Sequence, residues 1–103
     1  MRHYIYILRL IPKFWDGTQW TEKESQIVSE HYAKLQDMIT SGSLILAGKT
    51  DREDEHGFGI VIFKAKNDTE ATKVMNNDPG VKKGIMTATL NNYSVALISE
   101  KNV

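Results

Sequence analysis

Three segments of this chain are bulky and apolar at odd and even positions alike: Tyr4 to Ile11, Leu44 to Ala47 and Phe58 to Phe63. Their aromatic and β-branched residues read as strands, and a strand with one wet face would alternate apolar with polar. Both faces of these strands therefore need cover. Only two segments have the spacing of an amphipathic helix. The first opens at Thr21 and Glu24, a capping box, so a helix is predicted from Glu22, with Val28, Tyr32, Leu35, Met38 and Ile39 on one stripe. His31 falls on that stripe. Gly42 supplies a left-handed stop, and the strand Leu44 to Ala47 follows, ending at Gly48.

The second helix opens at Asn67 or Asp68, with Glu70 completing a possible box, and turns Ala71, Val74 and Met75 inward. It ends near Asn77, because Pro79 pushes the residue before it out of helical geometry and Gly80 adds a turn signal. Beyond Gly84, the segments Ile85 to Leu90 and Tyr93 to Ile98 read as one strand interrupted at Asn91-Asn92 or as two short strands. The order strand, helix, strand, strand, helix, strand is the split βαβ, ferredoxin-like pattern: an α+β fold with an antiparallel sheet and both helices on one face. It occupies one domain, residues 1–103. Helices cover one sheet face only, so a second copy packed sheet to sheet is expected on the other, giving a homodimer.

Composition narrows the function. With 41% hydrophobic and 25% charged residues, the chain is an ordinary globular one, and its apolar runs are too short to span a bilayer. Thirteen basic residues balance thirteen acidic ones without a basic stripe, which argues against nucleic acid as a partner. The absence of cysteine excludes disulfides and thiolate chemistry, and the strand-like start is unlike a signal peptide. The expected location is the cytoplasm.

No G-x-S-x-G, P-loop or H-E-x-x-H motif is present. The acidic loop Lys49 to Gly57, with Asp51, Glu53, Asp54, Glu55 and His56, lacks the glycine-centred pattern of a calcium site, so no metal is expected there. What remains is His31, facing inward from the first helix, and Asp78, in the fixed turn after the second. An imidazole held in one tautomer by a carboxylate is a general base suited to neutral pH, whereas a lone inward histidine and an Asp before Pro also serve plain structural ends. The loop Lys13 to Trp20 carries Phe14, Trp15 and Trp20, which either lid a site or plug the open end of the core.

The stretch Glu30 to Gly48, with His31, Leu35 and Gly42-Ser43-Leu44-Ile45-Leu46-Ala47-Gly48, together with Asp78-Pro79-Gly80-Val81-Lys82-Lys83-Gly84 and the strand after it, resembles the YciI-like (YCII-related) family. The resemblance covers nearly the whole chain. It implies a ferredoxin-like fold assembling into a dimeric α+β barrel, with a His and Asp proposed as the active pair. These map to His31 and Asp78. Two departures bear on the pocket: Lys49 follows Gly48 where the family often has Pro, and the aromatic loop is longer than in the shortest members. The resulting expectation is a small-molecule enzyme without metal or organic cofactor. His31 would be base or acid, Asp78 would orient it, and Tyr6, Phe14, Trp15 and Trp20 would wall a pocket for a small cyclic or aromatic substrate. Proton abstraction with elimination or isomerisation fits such a pair, there being no activated nucleophile. The alternatives are a non-catalytic ligand-binding or structural protein of the same fold and, more remotely, haem ligation by His31.

Overall fold

A computed structural model describes all 103 residues. Strand β1 (Arg2–Leu10) leads through a short 3-10 turn to α1 (Glu22–Ser41), followed by β2 (Leu44–Lys49), β3 (Gly59–Ala65), α2 (Asp68–Asn76), the one-turn α3 (Pro79–Lys82) and β4 (Met86–Tyr93). The sheet runs β2-β3-β1-β4, with every neighbouring pair antiparallel. Each βαβ unit thus straddles a strand of the other, the ferredoxin-like arrangement read from the sequence.

Local chemistry sets the helix ends. The Thr21 N–H donates to Glu24 Oε1 at 2.7 Å, and the Thr21 hydroxyl accepts from the Lys23 N–H at 3.3 Å. Gly42 closes α1 at φ 84°, where its N–H reaches back to the Ile39 and Met38 carbonyls. In α2 the Asn67 side chain accepts from the Glu70 N–H at 2.9 Å, which makes Asn67 the cap; the box with the Glu70 side chain does not form.

The core lies between sheet and helices. Tyr4, Tyr6 and Leu8 of β1 point into it with Val61 and Phe63 of β3, against Leu35 and Met38 of α1 and Ala71 of α2. Burying each large side chain of this set contributes about 1.5–3 kcal/mol. The inward stripe of α1 is rotated from the one read in the sequence. Ile27, Leu35 and Met38 are buried, while Tyr32 and Ile39 are 63% and 64% exposed. Both helices cover the same face of a narrow sheet, so only positions centred on Ile27, His31 and Leu35 meet it.

The strands differ from the sequence reading in their bounds and pairing. β4 is one strand through Asn91 and Asn92, because these residues pair with Ile5 and Tyr4 of β1. The chain beyond Tyr93 forms no second strand, and Leu97 is 94% exposed. β3 starts at Gly59, leaving Phe58 in the preceding loop, and β2 is an edge strand whose register shifts between Leu44 and Leu46. On the sheet face away from the helices, Ile5 and Ile7 stand beside Ile62 and Ile60, with Leu46 opposite Ile62. β4 gives that face Thr87, Thr89 and Asn91. The apolar excess of the outer face is therefore confined to the β1, β3 and β2 side.

Candidate active site

The site forms where α1, β1 and the turn before α3 converge. His31 is one helical turn from both Ile27 and Leu35, so the packing that seats α1 also aims its imidazole at the sheet. Asp78 caps α3: its Oδ1 accepts the Gly80 N–H at 3.0 Å, and Pro79 at the first helical position needs no donor of its own. These two local rules bring a carboxylate, 0% exposed, beneath the imidazole.

His31 Nδ1 lies 2.7 Å from Asp78 Oδ1 and 2.9 Å from Oδ2. Oδ2 also accepts the Tyr6 hydroxyl at 2.7 Å. Burial drives the Asp78 carboxyl upward, but the hydrogen bond and charge of His31, with the Tyr6 and Gly80 donors, outweigh it and hold the group below its usual range. Burial, followed by the charge of Asp78 and the hydrogen bond to it, raises the Tyr6 phenol well above its ordinary value, so Tyr6 remains a protonated donor. An ionised carboxylate only accepts, which requires Nδ1 to carry a proton. In the neutral imidazole Nε2 is then the unprotonated nitrogen.

His31 borders a cavity of about 400 Å3 between α1, the sheet and the loop joining β2 to β3. This is within the size range of small-molecule sites. Leu8, Leu10, Val28 and Val61 form its apolar floor, and Gly48, Lys49 and Phe58 its far wall. The rim is charged but largely paired: Lys49 faces Glu53 at 3.5 Å, and Arg52 grips Asp54, holding that carboxyl down at about 2. Arg9 lies 5.3 Å over the Phe58 ring.

The residues singled out in the sequence divide. His31 and Asp78 meet, yet only His31 faces the cavity; Asp78 lies behind it and meets no cavity surface. Trp20 lines the cavity and donates to Ser25 Oγ at 3.0 Å. Phe14 does not line it: its ring packs edge-on to Trp20 at 5.4 Å and is buried with Ile27 and Ile85, bracing the wall from behind. Trp15 is turned away, its indole N–H spent on the Leu10 carbonyl at 3.0 Å. Tyr6 lies under the pair rather than in the pocket. The aromatic loop is thus part plug, through Phe14, and part wall, through Trp20. Sequence reading missed Val28, Leu8 and the β2–β3 loop as walls. The alternation of β1 carried the signal for Leu8, but nothing in the loop's composition showed that it borders the same cavity as α1.

A split βαβ domain with a carboxylate-held imidazole at the edge of an apolar cavity defines a ferredoxin-like α+β protein. The chain belongs to the YCII-related domain family, whose model matches residues 4–90. Among solved structures it is similar to 5-chloro-2-hydroxyhydroquinone dehydrochlorinase (TftG) from Burkholderia phenoliruptrix AC1100 in complex with 2,5-dihydroxybenzoquinone, with a TM-score of 0.66 and 17% identity over 89% of this chain and 93% of that one. At that identity the likeness is one of fold. No curated protein is significantly similar to it in sequence. No helix of the chain is long and apolar enough to cross a membrane.

Proposed function

We propose that this protein is a small-molecule enzyme in which the His31–Asp78 pair performs general acid/base chemistry on a small cyclic or aromatic substrate. The observation that carries the reading is the placement of His31, with Nδ1 held by both oxygens of a buried carboxylate while the ring borders an apolar cavity. Nε2 takes a proton from a carbon or hydroxyl of the substrate. The electron pair left behind forms a new π bond as a leaving anion departs, which is elimination, or the proton returns at another position, which is isomerisation. The charge of Asp78 offsets the positive charge that His31 gains in that step. Leu8, Val28 and Trp20 present the apolar surface that a flat ring would bury.

The fold neighbour is a 5-chloro-2-hydroxyhydroquinone dehydrochlorinase in complex with 2,5-dihydroxybenzoquinone, so hydroxylated rings are the natural first ligands. The test supplies 5-chloro-2-hydroxyhydroquinone and unhalogenated dihydroxy rings, and follows chloride release and solvent deuterium entry by NMR. The expected result is turnover or exchange that His31→Gln lowers by about 10^2–10^4-fold. Ligand binding with neither event in the wild type would replace the enzyme by a binding protein.

The outer sheet face completes the reading. Ile5, Ile7, Ile60 and Leu46, set around the already buried Ile62, make an apolar surface that a second copy of the chain would cover, giving a homodimer. The same proposal places the protein in the cytoplasm, consistent with a chain free of cysteine.

A further inference from the structure

We infer that Tyr6 is the third member of this unit, a positioning residue that tunes His31 through Asp78 without touching the substrate. The inference rests on the His31–Asp78 reading above and extends it by one residue.

The carboxylate of Asp78 is gripped at both ends. Oδ1 accepts the Gly80 N–H at 3.0 Å and Oδ2 accepts the Tyr6 O–H at 2.7 Å, while Nδ1 of His31 sits between them at 2.7 and 2.9 Å. Turning the carboxylate about its Cβ–Cγ bond would break both outer bonds. Its plane is therefore fixed, and with it the direction from which the imidazole is held. Tyr6 suits this task because it is itself immobile: it is 0% exposed, on the inner strand β1, with its ring edge-on to Phe63 at 5.6 Å. Its phenol stays protonated, so it gives a hydrogen bond and takes none from this carboxylate.

A donor on Oδ2 also draws negative charge out of the carboxylate. His31 then meets a weaker anion than it would if Asp78 were held by Gly80 alone. Tyr6 thus sets how tightly the imidazole holds its second proton, and so the pH at which Nε2 is free. The other charges near the unit are Lys34 of α1, whose partly buried ammonium feels both Asp78 and Lys82, and, around the cavity, Arg9 of β1, Lys49 of β2 and the loop groups Arg52, Glu53 and Asp54. None of these donates to the Asp78 carboxylate; Lys34 gives its hydrogen bond to the Val74 carbonyl at 3.3 Å.

The test follows the His31 ring nitrogens by 15N NMR across pH, which reads the coupling whether or not any substrate turns over. Two changes at one atom are compared: Tyr6→Phe, which removes the donor, and replacement of Tyr6 by 3,5-difluorotyrosine, which strengthens it. The expected result is a His31 midpoint that rises by about 0.5 pH unit in Tyr6→Phe and falls in the fluorinated protein. Midpoints that stay put, or that move the same way in both, would overturn the inference and leave Tyr6 as a packing residue. If Tyr6→Phe does not fold, the fluorinated protein decides alone: a fall supports the role, and no change or a rise overturns it. A protein that shows both shifts yet processes no hydroxylated ring would retain the three-residue unit and lose the enzymatic reading.

Discussion

Tyr6 and His31 share one acceptor: Oδ2 of Asp78 receives the tyrosine hydroxyl at 2.7 Å and lies 2.9 Å from the histidine Nδ1. Strand β1 and helix α1 are thereby joined through a side chain that neither of them carries. Asp78 comes from the turn before α3, so three separate parts of the fold must be correctly packed before the unit exists. A buried carboxylate with this many donors is costly to remove, because each donor left behind in the core loses its partner.

That cost is measurable. Asp78→Ala strands the Tyr6 hydroxyl, the Gly80 N–H and His31 together and is expected to destabilise the fold by roughly 3 kcal/mol, a fall in Tm of more than about 10 °C. Thermal unfolding followed by circular dichroism checks this; a loss within about 1 kcal/mol would mean that water replaces the carboxylate freely.

Acid acts on the same group. The Asp78 carboxyl titrates below its usual range in the folded protein, so the unfolded chain binds its proton first as pH falls. Its contribution is fully present above the unfolded value of about 3.9 and is lost as pH drops through the lower folded value. Urea unfolding of wild type and Asp78→Asn should therefore show a stability gap that narrows below about pH 4, as the carboxylate takes up its proton. A gap that goes on widening below about pH 4 would contradict the depressed carboxyl.

The two tryptophans separate wall from surface. Trp20 lines the cavity, while the Trp15 indole is tied to the Leu10 carbonyl outside it. Binding of 2,5-dihydroxybenzoquinone is expected to quench the fluorescence of Trp15→Phe, in which Trp20 remains, and to leave that of Trp20→Phe nearly unchanged. Val28→Trp, which fills the floor, should abolish binding by at least about tenfold while the fold survives.

The outer sheet face makes its own prediction. Ile7, beside Ile60 at the centre of that face, would be buried by a second copy. Sedimentation of the wild type should give twice the chain mass, and Ile7→Lys should shift it to monomer or unfold it, because a buried lysine has no partner there. A monomeric wild type would remove the homodimer.

Much of this was legible in the chain. The Thr21–Glu24 box, the Gly42 stop and the Asp78-Pro79 turn are local devices whose physics lies within a few residues, and the split βαβ order followed from them. His31 and Asp78 were identifiable as residues, but their contact spans 47 positions of sequence and depends on how α1 is rotated, which periodicity placed off by the width of Tyr32 and Ile39. Tyr6 was misread for the same reason. Alternation shows that it faces inward, and only the turn before α3 shows what it meets there. Trp15 and Phe14 counted equally with Trp20 in composition, and a single indole hydrogen bond separates Trp15 from the pocket.

The most direct test of the central claim is the titration of His31, read from its ring nitrogens by NMR, in wild type and in Asp78→Asn. If the two residues act as one unit, neutralising the carboxylate should lower the His31 midpoint by about one pH unit or more, and neutral wild-type His31 should carry its proton on Nδ1. A midpoint unchanged by the substitution, or a proton on Nε2 in the wild type, would contradict the account, because the ring nitrogen not held by Asp78 would then have no lone pair with which to act as a base.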